Sequence, residues 1–254
     1  MRKINKKGIG RSNFESEKDS KIILDKRKVY NKILDLNASN LATSLLINDR
    51  RSISRILYYN QIYNLIINKP GVICEFGVEF GATLTLLSKL RAIYEPYNYS
   101  RKIYGFDTFE GFTKNLTTKE KKQKWKKGDY TVPKGYENFL DKLMHLEEEN
   151  SPLNHIKKYD LIKGDASKTI KSFLNKNPHL LISLAIFDMD VFKPTNDCIK
   201  AILPRLFKGS VLVFDELNHP EFPGEVEALL KNFDLKKHEL KYFHGQSFCS
   251  YFVL

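Results

Sequence analysis

Leu180-Leu181-Ile182-Ser183-Leu184-Ala185-Ile186-Phe187-Asp188-Met189-Asp190 is the stretch whose reading decides the fold. Its first eight residues are almost unbroken apolar character, the pattern of a strand buried on both faces in the middle of a parallel sheet. The run then breaks into acid. Upstream, Gly71-Val72-Ile73-Cys74-Glu75-Phe76 reads as another buried strand, with a helix over 82–92 after it. Further strands are expected at 102–106, 160–163 and 210–214, alternating with helices at 136–149, 166–174, 195–206 and 224–232. Two short strands at 236–243 and 247–253 close the chain. Alternating strands and helices predict an α/β fold: a mostly parallel seven-stranded sheet, an antiparallel C-terminal hairpin and helices on both faces.

Outside that domain, expected over 70–254, the chain changes character. Residues 1–20 are polar and basic and read as a disordered tail, and 21–69 as a helical extension. Its last helix, over 51–67, stops at Asn68-Lys69-Pro70-Gly71. Residues 113–135 interrupt the alternation with a Lys-rich insertion that holds the sole tryptophan, Trp125. The insertion reads as a lid over a site, with a solvated charged loop as the plain alternative.

Composition excludes several classes. No apolar stretch is long enough to span a bilayer. No apolar segment directly follows the basic start, so a secretory signal is not expected. Cys74, Cys198 and Cys249 lie far apart and make neither a disulfide framework nor a zinc spacing, which suits a reducing cytoplasm. The net charge of +12 raises nucleic acid as a partner. However, the basic residues concentrate only at 1–7 and 119–127, without the aromatic interleaving of an RNA-binding sheet. An anionic small molecule such as a nucleotide sugar uses the same charge. A nucleic-acid-binding protein or RNA methyltransferase, and a catalytically silent scaffold, stand as the rival readings.

In an open α/β sheet, ligands sit beyond the carboxyl ends of the strands, where strand order reverses. In this sequence those positions are acidic: Glu75, Asp107, Asp165, Asp188, Asp190, Asp215 and Glu216. The first turn, Glu75-Phe76-Gly77-Val78-Glu79-Phe80-Gly81, has glycines for a tight turn and a close helix start. Glu79 occupies the place of a dinucleotide motif's second glycine and would repel a pyrophosphate, so a cofactor with a cationic centre suits the turn better. Asp107 ends the second strand, where a carboxylate commonly takes ribose hydroxyls. Asp165, after Gly164, reads equally as an adenine contact or as a helix N-cap. Asp188 and Asp190, two apart in extended chain, should share one face, with Asp215-Glu216 approaching from the next strand. Clustered carboxylates repel unless protons or a cation intervene, and hard oxygens suit Mg²⁺. His219 and His244 are loop histidines without a motif, and Cys74 reads as core.

These stretches together resemble the macrocin O-methyltransferase family, S-adenosyl-L-methionine-dependent sugar O-methyltransferases of macrolide, aminocoumarin and enediyne biosynthesis. The resemblance rests on Cys74-Glu75-Phe76-Gly77-Val78-Glu79-Phe80-Gly81 and on Ile103-Tyr104-Gly105-Phe106-Asp107-Thr108-Phe109-Glu110-Gly111-Phe112. It continues through Gly164-Asp165-Ala166-Ser167, Phe187-Asp188-Met189-Asp190-Val191-Phe192-Lys193-Pro194-Thr195, Phe214-Asp215-Glu216-Leu217-Asn218 and Phe222-Pro223-Gly224-Glu225. The segment Leu90-Arg91-Ala92-Ile93-Tyr94-Glu95-Pro96-Tyr97-Asn98 is most similar to the enediyne deoxysugar branch. The resemblance implies a Rossmann-like class I methyltransferase that methylates a sugar hydroxyl, with Mg²⁺, as a homo-oligomer. It implies cofactor contacts at Glu75, Gly77, Gly81, Asp107, Thr108, Phe109, Gly164, Asp165 and Asp188. It implies metal ligands at Asp188, Asp215 and Glu216, and a general base at Asp190. Two positions depart from the family pattern: Phe192 stands where Tyr is common, and Glu216 where a second Asp is common.

Overall fold

The computed structural model describes residues 17–36, 38–123, 125–245 and 249–254. Most of the tail expected over 1–20 lies outside these residues, but 17–20 are already helix, so the helical extension starts earlier than its sequence suggests. The chain divides into two compact units, Met1–Arg55 and Ile56–Leu254. The first holds α1 (Glu17–Leu34), α2 (Asn40–Ile47) and the start of α3 (Arg50–Asn64). Ser39 caps α2, accepting from Ala42 N–H at 3.3 Å, and α2 buries none of its residues. Among the described residues, no helix is long and apolar enough to cross a membrane.

The second unit is the seven-stranded sheet. Its strands are β1 (Val72–Phe76), β2 (Ile103–Asp107), β3 (Tyr159–Lys163), β4 (Ile182–Phe187), β5 (Val211–Phe214), β6 (Lys241–Tyr242) and β7 (Ser250–Val253). They lie in the order β3-β2-β1-β4-β5-β7-β6. The first five run parallel, and β7 is antiparallel to both β5 and β6. The chain winds outward from β1 to β3, then returns to start again at β4, so the order reverses between β1 and β4.

One row of side chains aligns the rim. Phe76 is in register with Phe106 on one side and Phe187 on the other, and Phe187 with Phe214. The four rings stack in sequence at 5.0, 5.3 and 5.1 Å between centroids. The residue after each is therefore brought to a common level, which places Asp107, Gly77, Asp188 and Asp215 side by side.

Helices bury both faces. On one lie α3, α4 (Ala82–Tyr94) and α6 (Tyr136–Glu149), through residues such as Tyr59, Leu87 and Met144. On the other lie α7 (Ala166–Lys176), α8 (Phe192–Ile202) and α9 (Pro223–Asn232), through Ile170, Ile199 and Leu229. The sequence places the start of α8 at Thr195, after Pro194. The helix starts three residues earlier because a proline in the first turn lacks only an N–H that has no intrahelical partner there. The strand expected over 236–243 shrinks to the exposed pair Lys241–Tyr242. The insertion contains the short helix α5 (Thr118–Lys122).

Buried charge at the amino end of the sheet is paired with opposite charge. Arg101 is 1% exposed and its Nε donates to Glu95 Oε2 at 2.9 Å. Its other nitrogens donate to Ser183 Oγ at 2.7 Å, to the carbonyls of Ile66 and Lys69 at 2.8 and 2.6 Å, and to that of Gly71. Nearby, Glu148 takes Arg91 on one oxygen and Lys158 on the other, the latter at 2.8 Å.

Candidate active site

Gly77 follows β1 with φ +93°, and a Cβ there would lie 1.8 Å from the carbonyl oxygen of Asp188. Only glycine lets the β1 turn pass this close to the β4 loop, so Gly77 joins the two halves of the site through backbone. Glu75, one residue before the end of β1, is buried, and Gly81 begins the turn into α4.

Asp107 organises the turns around it as sequence reading does not foresee. Its Oδ2 accepts from Val78 N–H at 2.7 Å and Glu79 N–H at 2.9 Å, and its Oδ1 from Phe109 N–H at 2.6 Å. The carboxylate thus ties the turn after β1 to the turn after β2. A carboxylate has about four acceptor positions, so these amides leave about one for a ligand hydroxyl. Thr108 Oγ1 donates to Gly111 O at 2.8 Å and closes its own turn, while Phe109 is buried in the core. Gly164 N–H donates to Asp107 O at 2.8 Å. Asp165 acts as the N-cap of α7, accepting from Ser167 N–H at 3.1 Å, which favours the capping reading of that residue.

The acidic loop differs from the expected geometry. β4 ends at Phe187, and Asp190 takes φ +61°. Val191 N–H donates back to Met189 O at 2.6 Å, so Asp190 is the centre of a strained γ-turn. Asp188 and Asp190 therefore do not share a face by strand alternation, which holds only in extended backbone. A residue outside the expected set shapes this turn. Glu225, in the first turn of α9, is fully buried. Its Oε1 accepts from Met189 N–H at 3.2 Å and Asp190 N–H at 3.3 Å, and its Oε2 from Glu216 N–H at 3.2 Å. One carboxylate thus clamps both acidic loops. A Cβ on Gly224 would lie 2.5 Å from Asp190 O, so only glycine allows α9 to approach so closely.

Burial drives the Asp190 carboxyl well above its ordinary pKa, and the neighbouring Asp188, Glu225, Glu216 and Asp215 push it further. Burial likewise raises Glu225, with Asp188 and Asp215 adding to the effect. Asp215 Oδ1 accepts from the Cys249 thiol at 3.1 Å. The expected ligands Asp188, Asp215 and Glu216 come to one rim, and their oxygens suit a hard divalent cation in kind. Their arrangement does not: among the described residues, no group of three or more His, Cys, Asp or Glu side chains is set to hold a metal ion.

His219 is tucked in, its Nδ1 accepting from Glu221 N–H at 3.2 Å and its Nε2 standing 4.0 Å from Glu216 Oε2. His244 lies against Tyr242. The Lys-rich insertion is anchored to the fold rather than solvated throughout. Trp125 is 8% exposed, stacks on Phe222 at 4.9 Å and donates from Nε1 to Glu221 O at 3.1 Å. Between the insertion and α8 opens a cleft of about 460 Å³, lined among others by Lys114, Thr117, Lys193 and Asn196.

Compared with solved structures, the chain is similar to CalS11, a calicheamicin methyltransferase, at 30% identity over 98% of this chain and 99% of that one, with a TM-score of 0.86. It is 31% identical to the apo structure of CalS11, a TDP-rhamnose 3'-O-methyltransferase of calicheamicin biosynthesis, over 94% and 95% of the two chains, with a TM-score of 0.80. The O-methyltransferase NovP shares the fold at 15% identity over 92% and 99%, with a TM-score of 0.62. No protein-family model and no curated protein matches the chain.

Proposed function

The chain belongs to the macrocin O-methyltransferase family of S-adenosylmethionine-dependent enzymes, and from that premise we propose that it methylates a hydroxyl of a nucleotide-linked deoxysugar or a related glycan sugar. The observation that carries this reading is the likeness to CalS11 over nearly the whole of both chains, since that protein acts on TDP-rhamnose. The cleft between the insertion and α8 offers an acceptor the Lys114 ammonium, while its second lysine, Lys193, is paired with Asp197 on the same wall at 2.7 Å.

Each residue then has a task. Asp107 keeps an acceptor position for a ribose hydroxyl while its amide bonds hold the turns around the cofactor. Gly77, Gly81, Gly164 and Glu75 shape the cradle, and Asp165 and Thr108 set its edges by capping. Asp190 takes the proton of the acceptor hydroxyl as the oxygen attacks the methyl carbon. The carbon–sulfur bond breaks, and S-adenosylhomocysteine leaves with the electron pair on sulfur. A buried, crowded carboxylate has a high proton affinity, which suits a general base working on an alcohol.

Mg²⁺ at Asp188, Asp215 and Glu216 enters the proposal on donor chemistry alone. The exposed leucines of α2, Leu41, Leu45 and Leu46, support assembly with a second copy, which sedimentation checks.

The test is calorimetric titration with S-adenosylmethionine, with and without Mg²⁺, followed by turnover with TDP-rhamnose. Asp190→Asn should lose methyl transfer by about 10²–10⁴-fold while binding the cofactor as before. Unchanged turnover would remove Asp190 as the base, and identical binding and rate without Mg²⁺ would remove the ion.

A further inference from the structure

Glu120 stands among Lys119, Lys121 and Lys122, yet it is 1% exposed. Both of its oxygens accept backbone N–H groups, from two separate segments. Oε2 accepts from Thr117 N–H at 2.6 Å and closes a capping box with the Thr117 side chain, which accepts from Glu120 N–H at 3.2 Å. Oε1 accepts from Phe192 N–H at 2.6 Å. Phe192 opens α8 and follows directly on the γ-turn that holds Asp190. A carboxylate at this point satisfies an N–H that the helix cannot, and its charge complements the helix dipole.

The insertion is gripped a second time at Trp125, by Phe222 and the carbonyl of Glu221, with Gln123 Nε2 donating to Pro220 O at 3.4 Å. Phe222 immediately precedes Pro223-Gly224-Glu225, the helix start that clamps the amides of Met189, Asp190 and Glu216. The Lys-rich insertion therefore holds both segments that carry the acidic rim, one through Glu120 and one through Trp125.

We infer that Glu120 is a positioning residue, through which the geometry of the Asp190 turn depends on the insertion being seated. When the insertion lifts, the first N–H of α8 loses a charged acceptor and the turn at Asp190 loses its outer support. The inference rests on the proposed function only for its rate readout, because the coupling can be read without turnover.

The experiment uses the full chain and hydrogen exchange followed by mass spectrometry. In Glu120→Ala, exchange in the peptide over 188–195 should rise about tenfold or more, as the local opening energy falls. Emission from Trp125, the single tryptophan, should shift to the red as the insertion loosens. Trp125→Ala should also raise exchange over 188–195, although its ring contacts are to Phe112, Tyr130 and Phe222. Lys122→Ala should change neither reading. With TDP-rhamnose as acceptor, Glu120→Ala should lower kcat by about ten- to a hundredfold while the affinity for S-adenosylmethionine holds, the signature of a misplaced base. Should Glu120→Ala fail to fold, Glu120→Gln keeps one carbonyl acceptor and should show the same changes at smaller size. A folded Glu120 variant with wild-type exchange over 188–195 overturns the coupling. So does exchange that rises only within the insertion. If the wild type does not turn over TDP-rhamnose, the acceptor proposal fails, while the exchange readings still decide the coupling.

Discussion

At the amino end of the sheet, Arg101 and Glu95 are buried together, and so are Arg91, Lys158 and Glu148. At the carboxyl end, Asp107 and Glu225 are held by backbone amides, and Asp190 is crowded by further carboxylates. Both ends bury charge, but they stabilise it differently. A guanidinium opposite a carboxylate cancels its charge and supplies directed donors, which makes a joint. Backbone amides hold a carboxylate in place without cancelling its charge. The first arrangement serves cohesion. The second leaves a fixed acidic rim in which burial and neighbouring carboxylates, against the pull of the amides, raise the Asp190 and Glu225 carboxyls at a cost to the fold.

The largest way to break this comparison is at the joint. Arg101→Met removes the charged partner of Glu95, which keeps only the neutral donors Tyr63 and Asn98, and takes a donor from the carbonyls of Ile66, Lys69 and Gly71. Urea denaturation should show a loss of about 3–5 kcal/mol, since an uncompensated buried carboxylate remains. Cofactor affinity per folded molecule should be unchanged, because the proposed site lies at the other end of the strands. A loss below about 1 kcal/mol would mean the joint contributes no more than a surface pair.

The same operation on the rim should have the opposite sign. Asp190→Asn removes a charge that burial and its neighbours make unfavourable. Asparagine tolerates the left-handed backbone at this position nearly as well as aspartate. The variant should gain about 1 kcal/mol at neutral pH, as commonly follows when a functional strain is relieved. A loss of stability on this substitution would show that the turn needs the charge itself.

The contrast also marks what sequence can convey. Apolar runs such as 180–187 reveal the strands because burial on both faces leaves no polar positions, and the rim acids follow because strand ends are legible. The γ-turn at Asp190 is not legible. Period-two reasoning assumes extended chain past Phe187, and nothing local announces a positive φ at an aspartate. Glu225 and Glu120 escape for another reason. Each looks like an ordinary acid near a helix start, and only tertiary packing shows that its acceptors are spent on distant amides. The basic surroundings of Trp125 leave a lid and a solvated loop both open, and only packing shows its ring stacked on Phe222. The second reading of Asp165, as an N-cap, is one that local geometry alone can satisfy, and the α7 contact satisfies it.

The smallest effect, and the one that sharpens the comparison most, is in the pH dependence of stability. Burial raises the carboxyls of Glu95 and Glu148. For Glu95 this is outweighed by hydrogen bonds from Arg101, Tyr63 and Asn98, and for Glu148 by those from Arg91 and Lys158, so both end below the ordinary value of 4.5. A carboxylate whose folded pKa is lowered contributes stability that is fully present above its unfolded pKa and is lost as pH falls through the folded one. The amino-end joints should therefore hold from neutral pH down to about 4.5 and weaken below it. Asp190 and Glu225 are raised, so their sign is reversed: they cost stability above their folded pKa, and acid relieves that cost until the unfolded value is reached. Wild-type urea midpoints should accordingly rise on moving from alkaline toward mildly acidic pH, then fall below about pH 4.5. In the double variant Asp190→Asn, Glu225→Gln the rise should flatten while the acid fall stays where it was. An acid fall that moves with the rim substitutions would mean that the two ends of the sheet share one titration and do not hold their charge independently.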